Sequence, residues 1–322
     1  MPAQTVGNVH INVPLSDLAI RYMPDINGFI ADTVVPRLPV QNESNVYYVY
    51  DQGPFFDTSV SDLVADRSAP RRVEYSHTTA QYKTERRELA WDISDRERGN
   101  ADSQLRLEET KQAGTLALLY LRREIRIAAL LRKTTNGGSL ALGANAGTKW
   151  DSGSATWQTI YGDVIAGVTA MRQAIGAKPN VIIIPAAVAE GMGKSAFFTA
   201  AAGPLLVVNQ PADSRLYSDY PFLPPVLWGM RVLVPGNISN SAKEGQTASY
   251  SDIWSEQVRL LYVTPGPSMD TPSVGYTFTA EPLGTRQWRD EERRVDAYSV
   301  GFNIDERIVA SSAGYEINDC LT

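Results

Sequence analysis

The amino-acid sequence predicts an α+β fold, in which a compact α/β core carries an extended arm, a long charged hairpin and one long helix. Charge is unevenly distributed, since residues 71–97 hold 12 charged side chains in 27 positions and residues 160–208 hold five in 49. Charged side chains stay in water and apolar ones fill interiors, so the second range should supply the core. A proline-free stretch at 104–133 predicts the helix, and alternating apolar residues near the C-terminus predict strands.

The composition of the chain excludes several classes of function. The 322 residues carry a formal net charge of −6, so neither a basic DNA-reading surface nor attraction to anionic membranes is expected. One cysteine (Cys320) and two histidines (His10 and His77) cannot build a disulfide framework, a cysteine zinc site or a histidine-rich metal centre. Carboxylate, lysine or serine chemistry, or no chemistry, remains, and we expect no metal, no cofactor and no catalytic residue. The chain also lacks a signal-peptide pattern and a long apolar run, which predicts a soluble protein made in a cytoplasm.

The first 93 residues are predicted to form an arm and a hairpin. Residues 1–45 contain five prolines and no sustained periodicity, which predicts an extended N-terminal arm. Residues 46–93 are predicted to be an extended hairpin, in which a strand at 46–50 and a return limb at 71–91 flank a polar loop of 20 residues. A two-stranded hairpin is marginal alone, and a loop this long usually binds something. We therefore expect the hairpin to project and to become ordered against another surface.

Side chains in the hairpin and near residue 290 are candidates for contacts between subunits. Aromatic residues in a mostly polar arm have no local core, which implies burial against a partner. The candidate set is Tyr47, Tyr48, Tyr50, Phe55, Phe56, Arg71, Arg72, Arg86, Arg87, Arg289, Glu291 and Arg293.

Residues 104–133 are predicted to form the long helix. Thirty residues at about 1.5 Å each give a rod of about 45 Å. Ser94 and Glu97 fit a capping box, which predicts one short turn before the helix. Four arginines and a lysine gather near its end, at positions 122, 123, 126, 132 and 133. These cations complement the helix dipole, and we interpret them as a solvated helix face, with a partner contact as the alternative.

Residues 155–260 are predicted to form the α/β core. Apolar residues keep helical spacing from 160 to 175, and Gly176 supplies the stop. The apolar run at 181–184 predicts a buried strand. Further strands are predicted at 228–235, 257–263, 274–278 and 298–304, the last of them half-buried.

Two features resemble sites of chemistry, but their residues do not support that interpretation. Residues 191–195 end like a phosphate-binding loop, yet Val188 stands where the first glycine is needed, so we interpret them as a helix that ends at Gly191. His77 is interpreted as an exposed strand residue and not as a general base, because no geometry assigns it that role.

Two charged clusters have structural interpretations. The acidic residues 290–292 lie among arginines 289, 293 and 294, and mutual charge pairing explains them more simply than acid–base catalysis. The Asp-Glu-Arg sequence at 305–307 is either a charged turn or an ion pair between subunits.

The order of these elements resembles the major capsid protein fold of tailed bacteriophages, named after the Hong Kong phage. The resemblance is carried by residues 82–87 with 92–97, by 105–109 leading into the long helix, by 178–183 and by 294–310. It implies five parts, which are an N-terminal arm (1–45), an extended hairpin loop over a neighbouring subunit (46–93), the spine helix and first part of the peripheral domain (94–154), the axial domain (155–260) and the closing strands of the peripheral domain (261–322).

The resemblance also implies a function. Copies of such a protein assemble into pentamers and hexamers that close into an icosahedral shell around packaged double-stranded DNA, which they enclose without sequence-specific binding. The protein would be part of the virion and would be assembled in the host bacterial cytoplasm. Because the sequence starts at Met1 directly with the arm, we expect a separate scaffolding protein and a portal as partners, with cement or decoration proteins left open. We assign no residues to the lysine–asparagine crosslink of some relatives.

Two alternatives remain at this stage. The first is an encapsulin-type nanocompartment shell, which has the same fold and encloses an enzyme. The second is a soluble hydrolase or nucleotide-binding enzyme, against which the scarcity of histidine and cysteine and the incomplete phosphate loop argue.

Overall fold

The computed structural model describes residues 28–50, 53–64, 66–100, 106–194, 223–243, 245–267 and 272–322. Most of the expected arm, including His10, lies outside the described residues, as does Ser195. None of the described helices is long and apolar enough to cross a membrane.

The described residues form a mixed α and β structure. The helices are α1 (Ala31–Val34), α2 (Asp95–Asn100), α3 (Leu107–Leu130), α4 (Trp157–Ile175) and α5 (Ala186–Lys194). The strands are β1 (Arg37–Pro39), β2 (Ser44–Tyr50), β3 (His77–Lys83), β4 (Glu85–Ser94), β5 (Leu142–Asn145), β6 (Val181–Ile183), β7 (Val226–Leu227), β8 (Met230–Leu233), β9 (Ile238–Asn240), β10 (Tyr250–Asp252), β11 (Val258–Leu261), β12 (Gly275–Asp290), β13 (Val295–Ile308) and β14 (Gly314–Asn318).

The core is built on a six-stranded sheet in the order β5-β14-β11-β6-β8-β7. Successive residues of a strand point to opposite faces, and both faces of this sheet are apolar. Ile182 and Leu260 pack with α4 on one face, whereas Ile183 and Leu261 pack with the end of α3 on the other. Strands β5 and β14 come from outside the range 155–260, so the sheet extends beyond the core segment predicted from the sequence.

Helix α4 confirms the helix predicted before the buried strand. Thr156 and Thr159 form a reciprocal capping box at its start, and Gly176 ends it at φ = 70°. Glycine adopts this left-handed conformation without the steric cost that a Cβ would add. Strand β6, which follows, is buried along its whole length.

The long helix α3 is shorter than predicted. Its 24 residues span about 36 Å, from Leu107 to Leu130. The buried side chain of Arg259 caps the end of this helix, because its Nε donates a hydrogen bond to the carbonyl oxygen of Leu131 at 2.8 Å. Lys133 then bridges to Leu140 in a β-bridge, which directs the chain away from the helix axis. Burial lowers the pKa of Arg259 to about 10.

The second sheet has four strands in the order β1-β12-β13-β4. Helix α3 packs on one face of it, where Leu119 meets Val300, Phe302 and Ile304 of β13. This alternation matches the strand predicted at 298–304.

The opposite face of β13 is covered as well, so the prediction that this strand is half-buried is wrong. Ser299 is 2% exposed and Asn303 is 4% exposed. Ser299 donates to a carboxylate oxygen of Glu88, and Asn303 Nδ2 donates to Glu43 Oε1 at 2.8 Å. Side chains from β4 and from the segment before β2 therefore cover the polar face of the strand.

The return limb of the hairpin is divided at Thr84. Strand β3 pairs with β2, whereas β4 pairs with β13 in the four-stranded sheet. The prediction of one continuous limb over residues 71–91 is therefore wrong. The charged residues of β4 belong to the four-stranded sheet and not to a free ribbon, because β4 pairs with β13 along its length.

The arginine cluster on α3 is partly buried, so its interpretation as a solvated face is wrong for two of its members. Arg123 is 1% exposed, and it donates to Asp32 Oδ1 at 2.7 Å and to Thr277 Oγ1 at 3.1 Å. Arg126 pairs with the buried Glu306 at 2.6 Å. Both arginines therefore pair with carboxylates of the same chain.

Glu306 and its neighbours lie within strand β13, so residues 305–307 are not a turn. Asp305 accepts a hydrogen bond from the Lys83 backbone at 2.9 Å and pairs with Arg307 at 2.8 Å. Asp305 and Glu306 both pair with arginines of the same chain, and the alternative of an ion pair between subunits stays a prediction.

Helix α5 runs through Gly191 to Lys194, so the helix stop predicted at Gly191 is wrong. A Cβ at Gly191 would lie 2.8 Å from Leu321 Cδ2 and 3.0 Å from Asp151 Cβ. The glycine therefore allows the C-terminal residues to pack closely on the helix, and it does not form a phosphate loop.

Cys320 is expected to be unreactive in the folded protein. Its side chain is fully buried, and burial raises the pKa of its thiol to about 12. Because the thiolate is the reactive species, reaction with an aromatic disulfide reagent at pH 8 should be at least about a hundredfold slower in buffer than in denaturant. Equal rates under the two conditions would show that the C-terminal segment is not packed as described.

Candidate assembly surfaces

The hairpin, defined here as residues 44–83, combines a fixed base with an exposed tip. Strands β2 and β3 pair antiparallel from Ser44 opposite Lys83 to Tyr50 opposite His77. His77 is exposed on β3, as predicted, and its ring lies edge-on to Tyr48 at 5.3 Å. The side chain of Tyr50 is outside the described part of the chain.

Stacked aromatic rings hold the base of the hairpin on the four-stranded sheet. Phe278 of β12 stacks on Tyr82 at 4.4 Å and on Tyr47 at 5.6 Å between ring centroids. Tyr82 is 7% exposed and Phe278 is 5% exposed. These contacts cross from β2 and β3 to a different sheet, so they set the direction in which the hairpin leaves the sheet.

Hydrogen bonds fix the same base. The Thr84 backbone donates to the Glu43 carbonyl at 2.7 Å, while the Glu43 side chain accepts from Asn303. The Lys83 backbone donates to Asp305. The two ends of the hairpin are therefore tied to each other and to the central strand β13.

Replacing Phe278 with leucine is expected to loosen the hairpin. The substitution keeps most of the buried volume but removes two ring stacks, so we expect a loss of about 1 kcal/mol in the free energy of unfolding. Cleavage in the loop 53–76 by a non-specific protease should become faster. Phe302→Leu, in the same sheet but away from the hairpin, is the matched control and should leave cleavage of the loop unchanged. Unchanged cleavage in Phe278→Leu would contradict the anchoring role.

The hairpin exposes an unusual amount of apolar surface, most of it at the tip. Nine of the 17 exposed large hydrophobic side chains of the described residues lie in this one segment. They are Val46, Tyr48, Phe55, Phe56, Val60, Leu63, Val64, Val73 and Tyr75, with Leu63 86% exposed. Such a concentration of exposed apolar side chains in one segment marks a site of contact with another macromolecule.

The sequence-predicted aromatic residues divide between base and tip. Tyr47 lies in the base, while Tyr48, Phe55 and Phe56 are exposed by 66%, 56% and 62%. Phe55 stacks on Tyr75 at 4.8 Å. Phe56 lies against Gly176 in the same chain, close enough that a Cβ there would be 2.9 Å from its ring. The rings of Phe55 and Phe56 therefore contact other residues of the same chain but stay largely exposed.

The predicted arginines are found in two situations. Arg71 and Arg72 are exposed, and neither forms an ion pair with another described residue. Arg86 and Arg87 pair with neighbours on their own strand, Glu88 at 2.6 Å and Glu85 at 2.7 Å.

The charged cluster near residue 290 pairs with other elements of the chain. Arg289 makes two 2.7 Å hydrogen bonds to the carboxylate of Asp95 and one of 3.1 Å to Asp296. The hydrogen bond from Arg289 lowers the pKa of Asp95, and those from Arg98 and Arg289 lower the pKa of Asp296. Glu291 lies 3.6 Å from Arg289. The cluster thus ties α2 to the β12–β13 turn.

Arg293 lies at the same turn and reaches Asp92 at 3.5 Å, with 69% of its side chain exposed. Charge pairing within 289–294 is therefore limited to Arg289 and Glu291, and the other ion pairs of Arg289 and Arg293 are made with Asp92, Asp95 and Asp296, so the predicted mutual pairing holds only in part. The described residues contain no group of three or more histidine, cysteine, aspartate or glutamate side chains that could hold a metal ion.

Sequence reasoning missed two exposed surfaces beside the six-stranded sheet. One is the outer side of α4, where Trp157 and Ile165 are exposed. The other is the short β9–β10 hairpin, where Ile238 and Tyr250 are exposed. The outer side of α4 could have been found from Trp157 and Ile165, which lie outside the buried stripe of that helix, whereas residues 238–252 give only a weak strand signal, because polar residues dominate them.

Solved structures give the fold of the chain. A crystal structure of a phage-related protein from Bordetella bronchiseptica matches with a TM-score of 0.61 and 18% identity, covering 92% of this chain and 93% of that one. The capsid of cyanophage P-SCSP1u matches with a TM-score of 0.60 and 10% identity, over 93% and 90%. The capsid of Myoviridae phage XM1 matches at 0.56 and 12%, over 97% and 99%. The chain has the phage capsid fold, which confirms the predicted resemblance and fold class.

A curated relative adds sequence similarity. The chain is 30% identical over 175 residues to a protein named Major capsid protein from Pseudomonas phage JBD67. The match covers 54% of this chain and 53% of that protein, so the chain spans about half the length of this relative. No protein-family model matches the chain.

Proposed function

We propose that this protein is the major capsid protein of a tailed bacteriophage. Copies of it assemble into pentamers and hexamers, and these close into an icosahedral shell that encloses the double-stranded DNA genome. The observation that carries the proposal is the hairpin, whose base is anchored on the sheet while the hairpin as a whole exposes nine large hydrophobic side chains. Exposed apolar surface of this extent marks a site of contact, which another copy of the chain would cover.

The comparisons support the proposal from two directions. The fold is shared with phage capsid proteins over more than nine-tenths of the chain. The relative with 30% identity is named a major capsid protein, which supports a structural role and not an enzymatic one. We further propose that this protein is located in the virion and is assembled in the host bacterial cytoplasm.

The charge of the chain is compatible with a DNA container. A net charge of −6 disfavours tight binding to phosphates, which would hinder packaging and ejection of the genome. We propose that the DNA is enclosed without sequence-specific contacts. A separate scaffolding protein and a portal are the further partners that this role requires.

Electron microscopy of the purified full-length protein tests the proposal. Pentamers, hexamers or closed shells are expected, and shells from infected cells should protect DNA from nuclease. Monodisperse monomers at high concentration would contradict the proposal. Shells that hold protein cargo and no DNA would favour the encapsulin-type alternative.

A further inference from the structure

The hairpin contains a segment that has a strand pattern but no partner strand among the described residues. The sequence predicts a strand from residue 71, whereas β3 begins at His77, opposite the last residue of β2. Residues 71–75 are exposed and belong to no described strand. Charged and apolar side chains alternate in them, since Arg72 and Glu74 flank Val73. This strand pattern is therefore left unused in the single chain.

Strand β12 has an open edge of the required length. Strand β13 pairs with one side of β12, whereas in the described chain β1 covers the other side only at Thr277–Thr279. The register with β13 is irregular between Thr279 and Gly284, and it is regular over 284–290. Residues 284–289 are all exposed. A regular and exposed edge offers free backbone N–H and C=O groups, which makes it a template for a further strand.

The two segments carry complementary side chains. Glu74 and Arg286 are exposed, and neither forms an ion pair with another described residue. In the antiparallel register that places Glu74 opposite Arg286, Arg72 lies opposite Trp288, because alternate residues of a strand share a face. Trp288 is 48% exposed. Opposite charges across two strands and an arginine over an indole ring both stabilise such a pairing.

Other charges near this edge are already paired. The register brings Arg71 opposite Arg289, but Arg289 is neutralised by two carboxylates of its own chain, at 2.7 and 3.1 Å. On the face that carries Arg286, the neighbouring Arg86 and Glu88 pair with each other at 2.6 Å. Arg286 therefore keeps its charge available to a partner.

Both halves of this contact are present in every copy of the chain. Within one chain, the hairpin tip lies against Gly176 at the end of α4, through Phe56, and residues 71–75 do not pair with β12. Each copy can therefore give a strand to one neighbour and receive a strand from another. A contact of this heterologous kind can repeat around an axis and close a ring.

We propose that residues 71–75 of one copy add an antiparallel strand to the edge of β12 in the next copy, at 285–289, with Glu74 opposite Arg286. Backbone hydrogen bonds supply the affinity, while the charge pair and the contact between Arg72 and Trp288 set the register. The inference rests on the proposed function, because it requires that copies of the chain associate. It deepens that function by naming the surface that receives the hairpin.

Cysteine crosslinking tests the contact directly. Val73→Cys and Gln287→Cys, which lie opposite each other in this register, are prepared as separate variants, mixed during assembly and treated with a short bismaleimide reagent. Crosslinked dimers are expected in the mixture and not in either variant alone. The buried Cys320 should not react. Val73→Cys mixed with Glu281→Cys is the control and should give no dimers, because six positions along a strand separate the thiols by about 20 Å.

Exchange of the two charges tests the register. Arg286→Glu and Glu74→Arg each place like charges opposite each other, and each should raise the protein concentration needed for assembly about five- to tenfold. The double variant Glu74→Arg with Arg286→Glu restores the pair and should need a concentration within about twofold of wild type. Arg286→Glu with Glu281→Arg has the same net charge but leaves Glu74 opposite a glutamate, so it should remain defective.

The outcomes separate this inference from the proposed function. Assembled particles without the crosslinks, or a double variant no better than the single variants, would overturn the inference and leave the proposed function intact. Crosslinked dimers of Gln287→Cys alone would show that two β12 edges pair with each other, which would also overturn it. A wild-type protein that forms neither rings nor shells would overturn the proposed function and the inference together.

Discussion

Deletion of residues 55–68 is expected to abolish the formation of closed particles while leaving a folded core. The deleted segment contains five exposed large hydrophobic residues, Phe55, Phe56, Val60, Leu63 and Val64, which contribute to no cluster of buried residues in the described chain. Their loss therefore removes the proposed contact with another copy without opening a cavity. Unfolding should remain cooperative in urea, and electron microscopy should show no closed shells.

A double substitution distinguishes the effect of losing apolar side chains from the effect of shortening the loop. Phe55→Ser with Leu63→Ser removes two of the most exposed apolar side chains and keeps the loop intact. We expect a large fall in particle yield from this double variant. Thr58→Ala with Ser59→Ala, in the same loop, is the matched control and should assemble normally. Normal shells from the deletion would show that the hairpin tip is dispensable for assembly.

The substitution Glu124→Ala is expected to lower the free energy of unfolding by about 3–5 kcal/mol. Glu124 is fully buried on α3 and accepts three hydrogen bonds, from the Ile30 and Ala31 backbones at 3.1 and 3.0 Å and from Trp254 Nε1 at 2.7 Å. Alanine would leave all three donors buried without an acceptor. Urea unfolding of the two proteins measures the difference.

Two further variants define how Glu124 acts. Glu124→Gln keeps one acceptor oxygen but turns an amide group toward a donor, so a smaller loss of about 1–3 kcal/mol is expected. Glu109→Ala, at an exposed position of the same helix, should change stability by less than about 0.5 kcal/mol. A loss from Glu124→Ala as small as that from Glu109→Ala would contradict the proposed anchoring of the segment 28–35.

The same residue makes stability depend on pH. Burial raises the pKa of Glu124 above its ordinary value of 4.5, against the opposing effect of its three hydrogen bonds. The folded state then binds the proton more tightly than the unfolded state, so this carboxyl favours folding most below pH 4.5 and progressively less as the pH rises through its folded pKa. The difference in stability between wild type and Glu124→Gln should show this slope.

Several elements could be predicted from the sequence because their signals are local. Helix α4 has apolar residues at helical spacing and a glycine at its end, and β6 is an uninterrupted apolar run. The exposed aromatic residues of the hairpin could be predicted for a similar reason, since no apolar periodicity around them offers a core.

Other features depend on contacts between distant residues and could not be predicted. The division of the hairpin limb at Thr84 is decided by β13, which lies more than 200 positions away and pairs with β4. Arg123 and Glu124 can be buried because they form hydrogen bonds with Asp32, with Trp254 and with the backbone of residues 30–31. These partners approach α3 only in the folded chain. Charged residues on a helix are usually solvated, and only their partners show that these two are not.

The sequence by itself determined the division of the chain into a charge-poor core, a long helix and a projecting hairpin, because burial follows from the distribution of charge and apolar residues along the chain. Tertiary structure alone decided which charges are internal and where the hairpin is anchored. The physical reason is that pairing between distant strands and the partners of buried charges are settled by packing in three dimensions, where residues far apart in the chain compete for the same neighbours.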